Sequence, residues 1–295
     1  MRVVSLLPGA TEIVAALGGT AHLVAISHEC DFPPSVQHLP RVTTTPLDPA
    51  LPGAAIDAEI RRLRDAGQAI IAVDGDALRR LAPDLLITQD LCEVCAVADG
   101  ALHRLAATLH PAPAVLALRG RSLDGVMDDI RAVARALDLA DDGDELTTGL
   151  GSRIAGLRRG VPPVPPRVLC VEWLEPLYLA GHWVPDLVAA AGGMNAGAAS
   201  GAHSEVSTWD AAASLRPDLT IVMLCGFGLD RARIELDRLT DPAAARALGS
   251  APVWLLDGNA YTSRPGPRLV DGAERIQAAM AGIERPGLAR WRPEP

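Results

Sequence analysis

The chain has 295 residues, 49% hydrophobic and only 3% aromatic, with a formal net charge of −9. A mean hydropathy of +0.19 excludes intrinsic disorder, and the length leaves room for two domains that each bury a core. All 27 cations are Arg, so the chain lacks the Lys needed for Schiff-base chemistry or a Walker-type phosphate loop, and no basic run could neutralise a nucleic-acid backbone.

The first elements lie in MRVVSLLPGATEIVAALGG. Val3–Leu6 reads as a strand, Pro8-Gly9-Ala10 as a turn, and Thr11 as the cap of a helix through Leu17. A signal peptide is a poorer reading, because Arg2 is the only basic residue of the start and Pro8, Thr11 and Glu12 interrupt the apolar run. No segment approaches the roughly 20 apolar residues of a membrane span. As the sequence stands, the expected location is the cytoplasm; removal of a leader would make it the periplasm or cell surface. In a reducing compartment five cysteines favour thiols or metal ligands over disulfides.

Further strands are expected at Leu23–Ser27, Ala69–Val73, Leu85–Thr88, Ala114–Ala117, Val168–Glu172, Leu219–Leu224 and Val253–Leu256. Helical patterns separate them, such as Leu123, Val126, Ile130, Val133 and Leu137 at three- and four-residue spacing. This alternation predicts an α/β protein with mostly parallel sheets. Leu139–Arg159 reads as a helix weakened by Gly143, Gly149 and Gly151, and the proline-rich run Val161–Pro166 as a stiff connector. The expected organisation is an N-terminal α/β lobe over 1–138, a joining helix and hinge over 139–166, and a C-terminal α/β lobe over 167–295.

Chemistry-bearing residues gather just past the strands, where open α/β sheets bind ligands. His28-Glu29-Cys30 follows one strand, and Cys92-Glu93-Val94-Cys95 follows another. Three readings of the second stretch stand. Cys92 and Cys95 bind one soft ion, zinc or iron, with Cys30 or His28 completing a tetrahedral set; or the two thiols form a redox pair ahead of a helix; or one or both are buried small hydrophobes. Glu172-Trp173 ends a strand, and Tyr178, His182 and Trp183 follow in a glycine-bearing loop. They make either a stacking wall for a flat ligand, with His182 an axial metal ligand or a hydrogen-bond donor, or simple core packing. Phe227 lies in a Gly-flanked strand-end turn after Cys225. Arg264, in a rigid Pro-Gly turn, suits a carboxylate, amide or phosphate of a ligand, or an ion pair. Cys170 and Trp209 are expected in the core, with Ser207 or Thr208 capping a helix. There is no nucleophile elbow of the G-x-S-x-G kind.

The opening R-V-V-S-L-L-P-G-A-T-E, the strand-end S-H-E-C-D-F-P-P, the joining helix, V-L-C-V-E-W-L-E-P-L-Y-L-A-G-H-W-V-P-D-L-V and R-P-G-P-R-L-V-D-G together resemble one family over nearly the whole chain. It is the helical-backbone substrate-binding proteins of iron-chelate and cobalamin ABC importers, with the cobalamin-binding members the most similar. The resemblance implies a ligand held in a cleft between two lobes joined by a long helix. The implied ligand is a corrinoid or another metal-bearing small molecule, and the implied partner of an exported chain is an ABC importer permease. The implied ligand contacts are Pro8, Thr11, Glu29, Glu93, Trp173, His182, Trp183, Phe227 and Arg264, with His28, Cys30, Cys92 and Cys95 as candidate metal ligands. The alternative is a cytoplasmic metal- or thiol-dependent enzyme on the same fold, using Cys92, Cys95, Cys30 and His28.

Overall fold

The structure, a computed structural model, describes residues 1–90, 99–158 and 163–292. Backbone contacts divide the chain into two units. The first comprises Met1–Leu51, Ala58–Gly120 and Asp124–Thr148, and the second Pro52–Asp57, Arg121–Leu123 and Gly149–Pro295.

In the first unit, β1 (Val3–Ser5) leads into α1 (Pro8–Ala16), followed by β2 (Leu23–Ala25) and β3 (Thr43–Thr44). The helix α2 (Gly53–Asp65) begins on second-unit residues and ends on first-unit ones. Next come β4 (Ala72–Val73), α3 (Gly75–Leu81), β5 (Leu85–Gln89), α4 (Asp99–Ala107), β6 (Ala114–Leu118) and α5 (Leu123–Ala136). Four strands form one parallel sheet in the order β2-β1-β5-β6, while β3 and β4 pair as a short antiparallel ribbon. The apolar rhythm read for α5 is real: Leu123, Val126, Ile130, Val133 and Leu137 are all buried.

The N-terminal turn differs from expectation. Helix α1 starts at Pro8, with Leu7 as its N-cap and no side-chain cap. Proline at the first helical position needs no N–H and has the helical φ preset, so the helix opens three residues earlier than Thr11. Thr11 is therefore inside the helix and fully buried.

Helix α6 (Ala140–Leu157) is continuous for 18 residues, and the division between units falls at Thr148 and Gly149. The Val161–Pro166 connector lies in part outside the described residues.

The second unit contains β7 (Arg167–Leu174), β8 (Leu177–Leu179), α7 (Val184–Ala191), β9 (Met194–Asn195), β10 (Glu205–Ser207), α8 (Trp209–Ser214), β11 (Leu219–Val222), α9 (Leu229–Asp237), α10 (Pro242–Leu248), β12 (Val253–Leu256), α11 (Gly258–Tyr261), α12 (Leu269–Met280) and β13 (Leu288–Trp291). Its sheet runs β10-β8-β7-β11-β12-β13, with β9 also on β7. The pairs β7–β11, β11–β12 and β7–β9 are parallel; β7–β8, β8–β10 and β12–β13 are antiparallel. This sheet is thus mixed, parallel only at its centre. Trp209 is buried in the core on one face of it, and Thr208 caps α8 by accepting from the Ala211 amide. Cys170 is buried mid-strand, where desolvation raises its thiol pKa far above the ordinary value.

Candidate ligand-binding site

In each sheet, consecutive connections leave a central strand in opposite directions, which opens a crevice at the strands' carboxyl ends. In the first unit these strands are β1 and β5, and in the second β7 and β11.

At the first-unit edge, Ser5, Thr11, Ser27 and Cys30 form a buried polar cluster. The Thr11 hydroxyl lies 2.8 Å from Ser5 Oγ and 3.0 Å from the Cys30 sulfur, and that thiol lies 3.5 Å from Ser27 Oγ. Of the predicted site residues, the structure therefore brings Thr11 and Cys30 together, with the sulfur turned into the interior. Pro8 is half-buried at the start of α1, and Glu29 is exposed. His28 is half-buried, its Nδ1 2.6 Å from Thr43 Oγ1. Cys92, Glu93 and Cys95 lie outside the described residues. Among the described residues, no three His, Cys, Asp or Glu side chains gather closely enough to hold a metal ion.

The second-unit edge is aromatic. Trp173, one residue from the end of β7, and Phe227, in the turn after β11, pack with ring centroids 5.3 Å apart and planes tilted by 40°. The turn is tied to β7 because the Cys225 amide donates to the Glu172 carbonyl at 3.0 Å. Arg231 extends over the other ring, its Cζ 4.7 Å from the Phe227 centroid. Glu235, 9% exposed, fixes that guanidinium at 2.9 Å through one carboxylate oxygen and accepts the Gly53 amide at 2.8 Å with the other. Gly53, Trp173, Leu224, Phe227 and Glu235 line a shallow surface depression of about 10 Å³. That is space for about one water molecule, far below the usual range of small-molecule sites. Sequence reasoning missed Arg231 and Glu235, although their i,i+4 spacing was a readable signal.

His182 and Trp183 sit together ahead of α7, ring centroids 5.6 Å apart. The Trp183 indole donates to the Thr262 carbonyl at 2.8 Å, so this ring is locked into the unit. His182 has φ +52, in the left-handed region where a non-glycine residue is strained. The backbone supports that geometry: the His182 amide donates to the Ala202 carbonyl, and the Gly201 amide donates back to the His182 carbonyl. His203 approaches edge-on at 5.4 Å. Burial, followed by the charges of His203 and Arg121, pushes the His182 pKa below its ordinary value, so the ring is neutral at pH 7. Two buried nitrogens of this unit, Trp173 Nε1 and His182 Nε2, have no hydrogen-bond partner among the described residues. Arg264 is 6% exposed and its Nη2 donates to Asn259 Oδ1 at 2.8 Å.

The comparisons with known proteins agree with this architecture. Residues 3–246 match the family described as periplasmic binding protein. The chain belongs to that family. No curated protein sequence matches significantly. Among solved structures, the chain is similar to the periplasmic heme-binding protein HutB of Vibrio cholerae, with TM-score 0.66, 21% identity, and coverage of 95% of this chain and 98% of that one. A periplasmic heme-binding protein from Pseudomonas aeruginosa aligns with TM-score 0.71, 20% identity, and coverage of 100% and 99%. The periplasmic vitamin B12 binding protein BtuF of Vibrio cholerae aligns with TM-score 0.64, 20% identity, and coverage of 96% and 98%. At these identities the likeness establishes the two-lobe α/β fold of a substrate-binding protein. Among the described residues, no helix is long and apolar enough to cross a membrane.

Proposed function

We propose that this protein captures a flat metal chelate of the heme or corrinoid class and hands it to an ABC importer permease. Family membership supports the carrier role, and the solved neighbours include binders of heme and of vitamin B12. The observation that carries the ligand class is the Trp173–Phe227 pair at the carboxyl ends of β7 and β11. It offers π surface to a planar ring at the position where α/β sheets bind ligands.

Trp173, Phe227, His182 and Arg264 are the ligand contacts of the second unit in this reading, with Pro8 and Glu29 those of the first; Thr11 and Trp183, buried in their own units, support them. Arg231, held by Glu235, adds a fixed cation beside the aromatic pair and suits the carboxylates or amides such chelates carry. Cys92 and Cys95 remain candidate ligands for a metal. The working location in this reading is the periplasm or cell surface, in keeping with the family. The thiol- or metal-dependent enzyme alternative draws no support from the family or the neighbours.

Titration of purified protein with hemin and with cyanocobalamin, followed by absorbance and tryptophan fluorescence, tests the proposal. Saturable 1:1 binding of at least one is expected. Trp173→Ala should weaken it about tenfold, as loss of a central aromatic contact does. Failure of both chelates to bind the wild-type protein overturns the reading.

A further inference from the structure

Strands β2, β6, β10 and β13 close the order of the two main sheets among the described residues, and all but β6 are blunted. β2 is three residues long and is continued by a bridge from Ile26 to Arg41. β10 is three residues long and carries Glu205, and β13 carries Arg290. Short length and charge are the ordinary protections of a sheet edge. β6 has neither: Ala114-Val115-Leu116-Ala117-Leu118 is five residues without a charge. Its Ala114 is exposed, and Val115, Leu116 and Ala117 are half-buried.

The backbone of β6 alternates between its neighbour and the outside. The Ala114 amide donates to the Asp84 carbonyl and the Leu118 carbonyl accepts the Asp90 amide, both at 2.9 Å, so residues 114, 116 and 118 face β5. Val115 and Ala117 face outward, where their N–H and C=O groups have no partner among the described residues. This outward row is closed at both ends. Pro113 has no N–H to donate, and the Arg119 amide is taken by Asp129 Oδ1 at 3.1 Å.

We infer that β6 pairs antiparallel with β6 of a second copy of this chain, about a twofold axis at Leu116. Val115 then lies opposite Ala117 of the second copy, and the two exchange both backbone hydrogen bonds as the close pairs of an antiparallel ladder do. The symmetry repeats the exchange, and every outward group is satisfied. Moving the axis to Val115 or Ala117 sets one of them against Pro113 or Arg119, whose amides cannot contribute. Side-chain bulk matches as well, because Ala114 falls opposite Leu118. Charge favours the same partner. The axis stands normal to the sheet and reverses α5 along with the strand, so Asp124 and Asp128 of one copy lie level with Arg131 and Arg135 of the other. A foreign peptide strand would complete the ladder without that match. Strand edges bury less than the roughly 1,200 Å² of a standard interface, so the association is reversible, and the twofold symmetry stops it at a dimer. It also points the strand-end turns of the two first units in opposite directions.

Sedimentation equilibrium of the full chain, from micromolar to millimolar concentration, tests the inference. The average mass should rise reversibly from 30.8 kDa toward twice that value. Ala117→Pro removes the outward amide but no bond to β5, and should weaken association about tenfold. Ala117→Lys supplies the charge that protected edges carry and should abolish it. Leu116→Cys combined with Cys225→Ser should form a covalent dimer on mild oxidation, with position 116 joined to position 116, because residues on the axis approach to about 4.5 Å at Cα. Should Ala117→Pro prove unfolded by circular dichroism, the lysine variant and the cross-link carry the test. A single-chain mass at every concentration overturns the inference, as does a dimer that the Ala117 variants leave intact.

Discussion

The Arg231 guanidinium sits 4.7 Å from the centre of the Phe227 ring, and its place there is set by Glu235. That carboxylate is nearly buried and serves Arg231, Arg238 and the Gly53 amide together. Removing it takes a carboxylate partner from two guanidiniums and the acceptor from the Gly53 amide at once. Glu235→Ala should therefore cost about 2–4 kcal/mol of stability, read from urea denaturation midpoints. An unchanged midpoint would mean that solvent replaces all three contacts.

His182 makes stability depend on pH. The unfolded chain takes up a proton on this residue near pH 6.5, whereas the folded state, with its lowered pKa, takes it up only in more acid solution. The unfolded state thus binds more protons in that interval. Stability contributed by the neutral ring is complete above 6.5 and drains away as pH falls toward the folded value. Thermal melts of His182→Gln between pH 7.5 and 5 should fall less steeply than those of the wild-type protein. Parallel curves would refute the assignment.

The thiols outside the Cys92–Cys95 stretch should differ in reactivity. Cys225 is exposed, and Cys30 and Cys170 are buried; burial further disfavours the Cys170 thiolate. In a Cys92→Ser/Cys95→Ser variant, a disulfide reagent should titrate one thiol rapidly in the native protein and three after denaturation. Rapid reaction of three native thiols would contradict the burial of Cys30 and Cys170.

Gly258 opens α11 directly against the chain leaving β11. A Cβ there would lie 2.2 Å from the Leu224 carbonyl oxygen, a backbone atom with little freedom to retreat. Gly258→Ala should cost about 3 kcal/mol by overpacking, measured by chemical denaturation. Because the same backbone leads into the Phe227 turn, binding of the chelate should weaken as well.

The parts of this architecture legible in the sequence are those with long repeating patterns. Each of the eight strands expected from apolar runs has a counterpart, and the stripe along α5 is buried as read. The short strands escaped. Leu177–Leu179 is three residues long behind Glu175-Pro176 and pairs back on β7 only through a tight hairpin. Leu288–Trp291 is an antiparallel edge whose Ala-Arg centre carries no β-rich signal. These are the strands that make the second sheet mixed. At the site, Trp173 and Phe227 were readable as rare aromatics at strand ends, but their ring contact depends on register between β7 and β11. Thr43 was not readable at all: its contact with His28 comes from a fold-back that places a residue 15 positions downstream against the turn.

Helix α6 contains three glycines with different reasons to exist. Gly143 has its own backbone against α5, where an added Cβ would fall 2.4 Å from that of Ala134, so it is required by close approach. Gly149 and Gly151 meet nothing within 4 Å. Each costs about 1 kcal/mol of helix propensity relative to alanine with no packing return. The element shared by both halves of the chain is thereby left softer than its sequence need make it, and softest where it passes from one half to the other. Two alanines would yield a stiffer carrier with every loop intact, a direct means of asking whether compliance in this rod governs how fast cargo is released.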